Sequence, residues 1–327
     1  RTLNMSRLGE ILTAADPPVR AMIVWNSNPL VIVPNTELVR AGMARDDLFC
    51  VVHEQFLTDT ARYADIVLPA TTQIEAVDVN PAWGHLWLGW NEPAIEPLGE
   101  AVSNTEFFRR IARAMGLTEP SLFDDDETVL RDALPTIDLD ALRTAGWERV
   151  PYPDDGRPWA DGGFPTPSGR VEFVSERLAA MGLPALPTYE PAIEGPRGPD
   201  AGRFPLQLMT PKHHPRFLNS GYSHLPKHGP PEGGPFLELD AIDAATRGLA
   251  DGDIAIVFND RARLELPVRI SGRLRPGLVS IPWGWWHADH PDGHVANSLT
   301  NDTLTDWGGG VAFSDTLVEV NPVGTPS

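Results

Sequence analysis

The sequence predicts an α/β protein: a Rossmann-like parallel-sheet domain over residues 1–150, a connecting segment over 151–202 and a small β-barrel domain over 203–327. Three observations carry this. Short continuous apolar runs alternate with helical stretches between residues 21 and 69, which is the pattern of a parallel sheet covered on both faces. Pro184, Pro187, Pro191, Pro196 and Pro199 crowd the stretch 184–203, the clearest linker of the chain. From Phe204 onward the chain turns to short strands divided by turn residues, at spacings that suit a small barrel. With 327 residues there is enough chain for about two buried cores.

Taken in order, Ala21–Trp25 is the first strand, closed by the turn formers Asn26-Ser27-Asn28-Pro29. Asn35-Thr36 caps a short helix reaching about Arg45, Leu48–Val52 is the second strand, Thr58-Asp59-Thr60 opens a helical stretch to about Ala64, and Asp65–Pro69 is the third strand. Ligands of such sheets bind beyond the carboxyl ends of the strands, here marked by Asn26, Ser27 and Asn28, then His53 and Glu54, then Pro69. Residues 104–115 predict an amphipathic helix with Asn104 as its cap and Gly116 as its stop. The acidic runs Phe123–Asp126 and Tyr152–Asp155 read as exposed, solvated connections. Six strands follow at 204–209, 236–239, 254–258, 264–270, 278–282 and 317–320, with one helix at 241–247.

Charge narrows the function. The chain has 26 Lys+Arg against 45 Asp+Glu, a formal charge of -19, which argues by long-range repulsion against nucleic acid or an anionic membrane surface as the main partner. Against that background, Ala201–Pro231 contains no acid, yet holds Arg203, Lys212, Arg216 and Lys227 with His213, His214, His224 and His228. The window reads as a local anion-attracting surface.

Cysteine use narrows it further. Cys50 is the single cysteine, so an intrachain disulfide, a four-cysteine iron–sulfur cluster and a cysteine-based zinc site are excluded within this chain. His287, His290 and His294 offer imidazoles within eight residues, but Pro291 and Gly293 break the helix that would gather them, and the run reads as a loop. The neighbouring Trp283-Gly284-Trp285-Trp286 reads as packing or a cavity wall. No GxSxG, Walker A, HExxH or CxxC occurs, and no GxGxxG follows the first strand, which weakens a plain NAD dehydrogenase reading. No apolar run is long enough to span a bilayer.

The order of the motifs then becomes informative. Trp25-Asn26-Ser27-Asn28-Pro29, Phe49–Glu54, and Thr58–Pro69 with Glu75 resemble the third domain of the dimethyl-sulfoxide-reductase family of molybdopterin oxidoreductases. Pro167–Phe173 is similar to that family's link into its last domain. Leu239 through Ala244, Gly248–Asp253, Pro276–Val279 and Asn297–Thr300 resemble its molybdopterin-dinucleotide-binding barrel, of double-psi type. The resemblance runs over nearly the whole chain.

The resemblance implies a Mo-bis(molybdopterin guanine dinucleotide) cofactor. It puts Asn26 and Asn28 on the first loop touching the dinucleotide, and His53 and Glu54 where the nucleoside is read. Ala76 stands in place of a family lysine, and Asn104, whose amide still hydrogen-bonds a base, stands in place of an acid. Thr210, Lys212, His213, His214, Arg216, Asn219 and Ser220 correspond to the segment wrapping a pterin and its phosphates. Asn297 matches a pterin contact, and Ser314 a further polar contact. The metal's protein ligand and any [4Fe-4S] cluster lie upstream of the matched part in the family. The chain is therefore expected to be the C-terminal part of a larger oxidoreductase, inactive alone, whose partners are its own N-terminal half and an electron-transfer subunit. The alternative is a non-catalytic dinucleotide-binding subunit or carrier. A cytoplasmic location is expected, or a periplasmic one if an export signal precedes Arg1.

Overall fold

The computed structural model describes residues 1–160, 162–186, 188–212, 219–221, 224–225, 227 and 233–324. Arg1–Leu68 and Pro191–Ser327 form one compact unit, and Pro69–Glu190 a second.

The first unit begins with helix α1 (Leu8–Ala14), strand β1 (Ala21–Trp25), the single-turn helix α2 (Pro29–Ile32) and helix α3 (Thr36–Met43). Strand β2 (Phe49–Glu54), a 3-10 turn at Thr60–Tyr63 and strand β3 (Ile66–Pro69) follow. The sheet runs in the order β1-β2-β3, with β1 and β2 parallel and Trp25 opposite His53. Because successive side chains alternate between faces, Val24, Cys50 and Val52 enter a core with Leu12, Leu30, Val39 and Met43. Their neighbours Ile23, Trp25 and Phe49 stay exposed on the other face. Helix α1 lies so close to α3 that a Cβ on Gly42 would stand 2.4 Å from the Cβ of Leu12, so the contact requires glycine.

Two local expectations change. The stretch expected as a helix from Thr58 is one 3-10 turn, Thr60–Tyr63. Asn35 does precede α3, but at φ 53° in the left-handed region it makes no side-chain cap; a capping side chain needs the extended backbone that aims its oxygen at the first turn.

The second unit contains strands β4 (Asp78–Asn80) and β5 (Trp87–Asn91), helices α4 (Asn104–Ala114), α5 (Asp126–Ala133) and α6 (Leu139–Ala145), strand β6 (Trp147–Arg149) and helix α7 (Glu176–Ala180). Its sheet is antiparallel, β4-β5-β6, over a core of Leu88, Leu139 and Leu142. The cap of α4 is Ser103, not Asn104: the Ser103 hydroxyl accepts the Glu106 N–H at 3.2 Å, and Asn104 is the first helical residue. Ser103 with Glu106 is the S-x-x-E spacing of a helix start. Gly116, at φ 67°, follows the helix as expected. The acidic run at 124–126 does more than solvate. Asp125 caps α5 by accepting the Thr128 N–H at 2.8 Å, and Asp126 pairs with Arg109 at 2.5 Å.

Back in the first unit, β7 (Leu206–Met209), β8 (Leu237–Leu239), helix α8 (Ala241–Thr246), β9 (Ile254–Phe258), β10 (Arg263–Ile270), β11 (Leu278–Ser280) and β12 (Leu317–Pro322) complete the chain. The strands close into a barrel in the order β10-β8-β11-β7-β12-β9. Pairs β10/β8 and β11/β7 are parallel and the other four antiparallel. Strand β10 buries Leu264, Leu266 and Val268 at every second position, and they pack with Leu208, Leu237, Val257, Val279 and Val318. The proline-rich stretch is pinned to this barrel, since Glu194 receives two hydrogen bonds from Arg261 at 2.7 and 2.6 Å. No helix among the described residues is long and apolar enough to cross a membrane.

Candidate functional site

Four of the predicted residues meet at the carboxyl end of the β1/β2 pair. Asn26 is exposed and sits at φ 49°, a left-handed turn that asparagine tolerates and that swings the chain out of β1. Asn28 is buried, and its Oδ1 accepts from the Thr60 N–H at 3.2 Å and the Thr60 hydroxyl at 2.8 Å. Thr60 Oγ1 in turn accepts the Leu30 N–H at 3.1 Å, so the loop after β1 is tied to the turn after β2. That leaves Asn28 Nδ2 as a buried donor without a partner among the described residues.

Across from it, His53 is fully buried within β2. Burial pushes its imidazole below the usual value, against a hydrogen bond with the Leu68 backbone. Glu54 is half-buried at the strand end, and burial raises its carboxyl pKa although the Gln55 and Ser27 N–H groups donate to it. A half-desolvated carboxylate beside an unpaired amide donor is a set that accepts from hydroxyl or N–H groups and donates to an acceptor. Those are the complements of a nucleoside's edges, so the residues present fit the nucleoside end of a dinucleotide. Cys50, near the start of β2 and away from this end, is buried; burial first and then Asp65 push its thiol up to about 11, so it is a core residue.

The barrel contributes a second group. Thr210 follows β7, and exposed Lys212 bridges to Trp283 in the run after β11. Asn219 is exposed at φ 54°, while Ser220 is buried with its carbonyl accepting the Trp286 indole N–H at 2.6 Å. His213, His214 and Arg216 lie outside the described residues. Asn297 reaches the first group: its Nδ2 donates to the Val31 carbonyl at 2.9 Å, in the helix that follows Asn28, and its Oδ1 accepts from Thr300 at 3.2 Å. Ser314 is exposed, with its carbonyl taking the Gln207 amide. Asn104 belongs to the second compact unit and is described there.

The residues sequence reasoning missed form a polar seam between α2–α3 and the loop 286–302. Asp59 accepts the His287 N–H at 2.9 Å; the His287 ring contacts the Leu30 carbonyl at 2.6 Å and the Gly293 carbonyl at 2.6 Å. Glu37 meets His294 at 2.8 Å and the Ser298 hydroxyl at 2.8 Å, and Arg40 reaches His287 and the Gly293 carbonyl. His290 is buried. The histidine run is thus occupied in joining barrel to sheet. Asp59, Thr60 and Glu37 follow strands or open helices, but their partners lie more than two hundred residues away in the case of Glu37 and Asp59, so no local pattern marks them. A cavity of about 170 Å³ beside Arg40, Asp59, Arg62, Tyr63 and His287 belongs to this seam; it is smaller than the pockets that enclose organic ligands, about 300–1,000 Å³.

The molybdopterin oxidoreductase family model matches residues 7–114, and the molydopterin dinucleotide binding domain model matches residues 206–317. The chain is 38% identical over 331 residues to the probable oxidoreductase YoaE of Bacillus subtilis, covering 99% of this chain and 47% of that protein. It is 28% identical over 307 residues to a dimethyl sulfoxide/trimethylamine N-oxide reductase of Cereibacter sphaeroides, covering 84% of this chain and 37% of that one. The solved acetylene hydratase from Pelobacter acetylenicus superposes with a TM-score of 0.82 at 24% identity, over 98% of this chain and 47% of that chain, a likeness of fold. The chain spans less than half the length of these relatives. With both models matched in order, one on the sheet and one on the barrel, the chain belongs to the molybdopterin oxidoreductases of the dimethyl-sulfoxide-reductase type.

Proposed function

We propose that this chain binds the guanine form of the dinucleotide, as part of a Mo-bis(molybdopterin guanine dinucleotide) oxidoreductase. Two-electron or oxygen-atom transfer then requires a further part of the polypeptide that supplies the metal's protein ligand and any [4Fe-4S] cluster. The observation that carries the reading is the buried, unpartnered Asn28 Nδ2 beside the half-buried Glu54 carboxylate at the carboxyl end of β1 and β2. When bound, the cofactor supplies the redox chemistry at its metal; the chain's own residues hold and orient it. Glu54 accepts from ribose hydroxyls or guanine N–H groups, and Asn28 donates to a ring or sugar oxygen. Asn26 sets the direction of the loop, and buried His53 stands near the end of β2 with burial pushing its imidazole below the usual value. Lys212, with His213, His214 and Arg216 of the acid-free window, offsets the charge of the phosphates. Asn219, Ser220, the second N–H of Asn297 and Ser314 remain for the pterin or phosphate edge, and Asn104 for a base. The two parallel pairs of the barrel require crossover connections, which supports reading it as the double-psi type.

The test is to purify the complete gene product from a host that makes molybdopterin guanine dinucleotide, and to measure molybdenum with the nucleotide released by acid. About two GMP per molybdenum is expected for a bis-dinucleotide cofactor, and Glu54→Ala should lower the yield of bound GMP several-fold. Absence of GMP, or release of a different nucleotide, overturns the guanine assignment. Residues 1–327 alone should give no turnover; reduction of an N-oxide or sulfoxide by them overturns the two-part reading. Dinucleotide bound by the complete gene product without molybdenum turnover would favour the carrier alternative.

A further inference from the structure

We propose that the cavity of about 170 Å³ in the seam is a binding site for one small oxyanion of the sulfate or phosphate class, taken free from solution. Two guanidinium groups, Arg40 and Arg62, the imidazole of His287 and the phenol of Tyr63 line it against a single carboxylate, Asp59. In a chain with 45 acids against 26 bases, a wall with cations in excess reverses the average. At about 30 Å³ per water the cavity has room for roughly five waters, which suits an inorganic oxyanion with part of its hydration shell. A nucleotide needs more space. None of the residues assigned above to the dinucleotide lines this cavity, so the proposal does not rest on the guanine reading.

The contacts of His287 give the wall its demand for negative charge. Its Nε2 lies 2.6 Å from the Leu30 carbonyl and its Nδ1 2.6 Å from the Gly293 carbonyl. A carbonyl oxygen only accepts, so both contacts are hydrogen bonds only when both ring nitrogens carry protons. Yet Arg40 Nη2, which only donates, stands 2.6 Å from the same Nδ1. With Nδ1 protonated, ring and guanidinium are two cations in contact; with Nδ1 bare, its lone pair meets the Gly293 oxygen. The carboxylates around them are already engaged. Asp59 accepts the His287 backbone N–H at 2.9 Å, and Glu37, 3.4 Å from Arg40, is shared by His294 and the Ser298 hydroxyl at 2.8 Å each. On the loop of His287 itself, Asp289 pairs with His224 at 2.9 Å, Asp292 accepts the Glu265 and His294 N–H groups, and His290 is buried. An oxyanion in the cavity settles the conflict by offsetting the charge of the doubly protonated ring and accepting from the guanidinium groups. Arg62 is the arm available to it: its side chain is 68% exposed, and its ion pair with Asp59 is stretched to 4.0 Å.

The test is calorimetric titration of the complete gene product with sulfate replacing chloride at constant ionic strength, in buffers of two ionisation enthalpies between about pH 6 and 8.5, a span around the ordinary histidine value. One saturable site per chain, filled with uptake of a proton, is expected. Arg62→Gln, at an exposed side chain, should weaken sulfate at least ten-fold with the unfolding temperature unchanged, and Arg62→Lys should restore part of the affinity. Arg263→Gln, on β10 and outside the lining, should bind as the unsubstituted protein does. Binding that does not saturate, or that Arg62→Gln leaves as tight, overturns the site; saturable binding without proton uptake anywhere in that range overturns the part assigned to His287. The same titration on protein from a host unable to make molybdopterin separates the sources of the anion. Binding by the cofactor-free form alone would mean that the cofactor's own phosphates fill the cavity, and overturns a site for a free anion. Equal binding by both forms is expected, and it holds whatever nucleotide the acid-release measurement finds, so the two readings fail separately.

Discussion

The barrel and the three-stranded sheet use the same kind of strand to different ends. In the barrel every strand has two neighbours, the order closes on itself, and the alternating Leu264, Leu266 and Val268 meet inward side chains from the strands around them. In the sheet β1 and β3 are edges, and Ile23 and Phe49, on the face opposite Val24 and Cys50, are 38% and 49% exposed. Closure is a property of topology, and it decides whether an apolar side chain is buried on both sides or stays partly in water.

The contrast is testable by substitution. Leu266→Ala, at a site with 0% exposure, should cost about 2–5 kcal/mol in urea unfolding, because the closed wall relaxes little around the cavity. A loss well under 1 kcal/mol would mean the barrel is looser than its closure indicates. Glu194→Ala should cost about 1–3 kcal/mol by leaving Arg261 without its carboxylate, and should raise proteolysis of the 184–203 stretch before the barrel unfolds.

The seam between the two regions should respond to acid. Burial, then the neighbouring His287 and His294, push His290 down to about 3. A depressed folded pKa gives stability that is complete above the ordinary histidine value of about 6.5 and is lost as pH falls toward 3, at a slope approaching about 1.4 kcal/mol per unit. Glu37 adds to this at lower pH: burial alone would raise it, but hydrogen bonds from His294 and Ser298, with Arg40, hold it below the ordinary carboxylate value. Its contribution is present above that value and lost beneath it. His290→Asn should flatten the urea midpoint between pH 6.5 and 4, and an unchanged profile would place the acid sensitivity elsewhere. Ile23→Ala should have the smallest effect, about 0.5 kcal/mol or less in residues 1–327; a loss rivalling Leu266→Ala would erase the contrast between the regions.

What was readable in the sequence follows the same division. The six barrel strands were legible because period-2 burial writes itself as alternation, most clearly in β10. The β1-β2-β3 segment was legible because buried parallel strands read as apolar runs. Strands β4, β5 and β6 were not: Asp78-Val79-Asn80 is too short to show a period, and Gly89 interrupts Trp87–Asn91. Helix α5 was hidden because Asp125 and Asp126 read as solvated charge until their partners Thr128 and Arg109 appear. At the candidate site, the placement of Asn28 and Glu54 at the carboxyl end of β1 and β2 was legible, because the apolar runs mark where those strands stop. The seam was not, because Glu37 and His294, or Asp59 and His287, are brought together only by the tertiary fold.

The compact unit that holds both sheet and barrel is assembled from two separated stretches, Arg1–Leu68 and Pro191–Ser327, with Pro69–Glu190 between them. On a ribosome adding about 5–20 residues per second, the first stretch emerges on the order of ten seconds before its barrel partners begin to be made. During that interval α2 and α3 have none of the partners of loop 286–302 to bind, and the second unit is being made. The timetable of synthesis therefore leaves Glu37, Val31 and Asp59 without their partners in residues 287–298 until the last stretch of the unit is made.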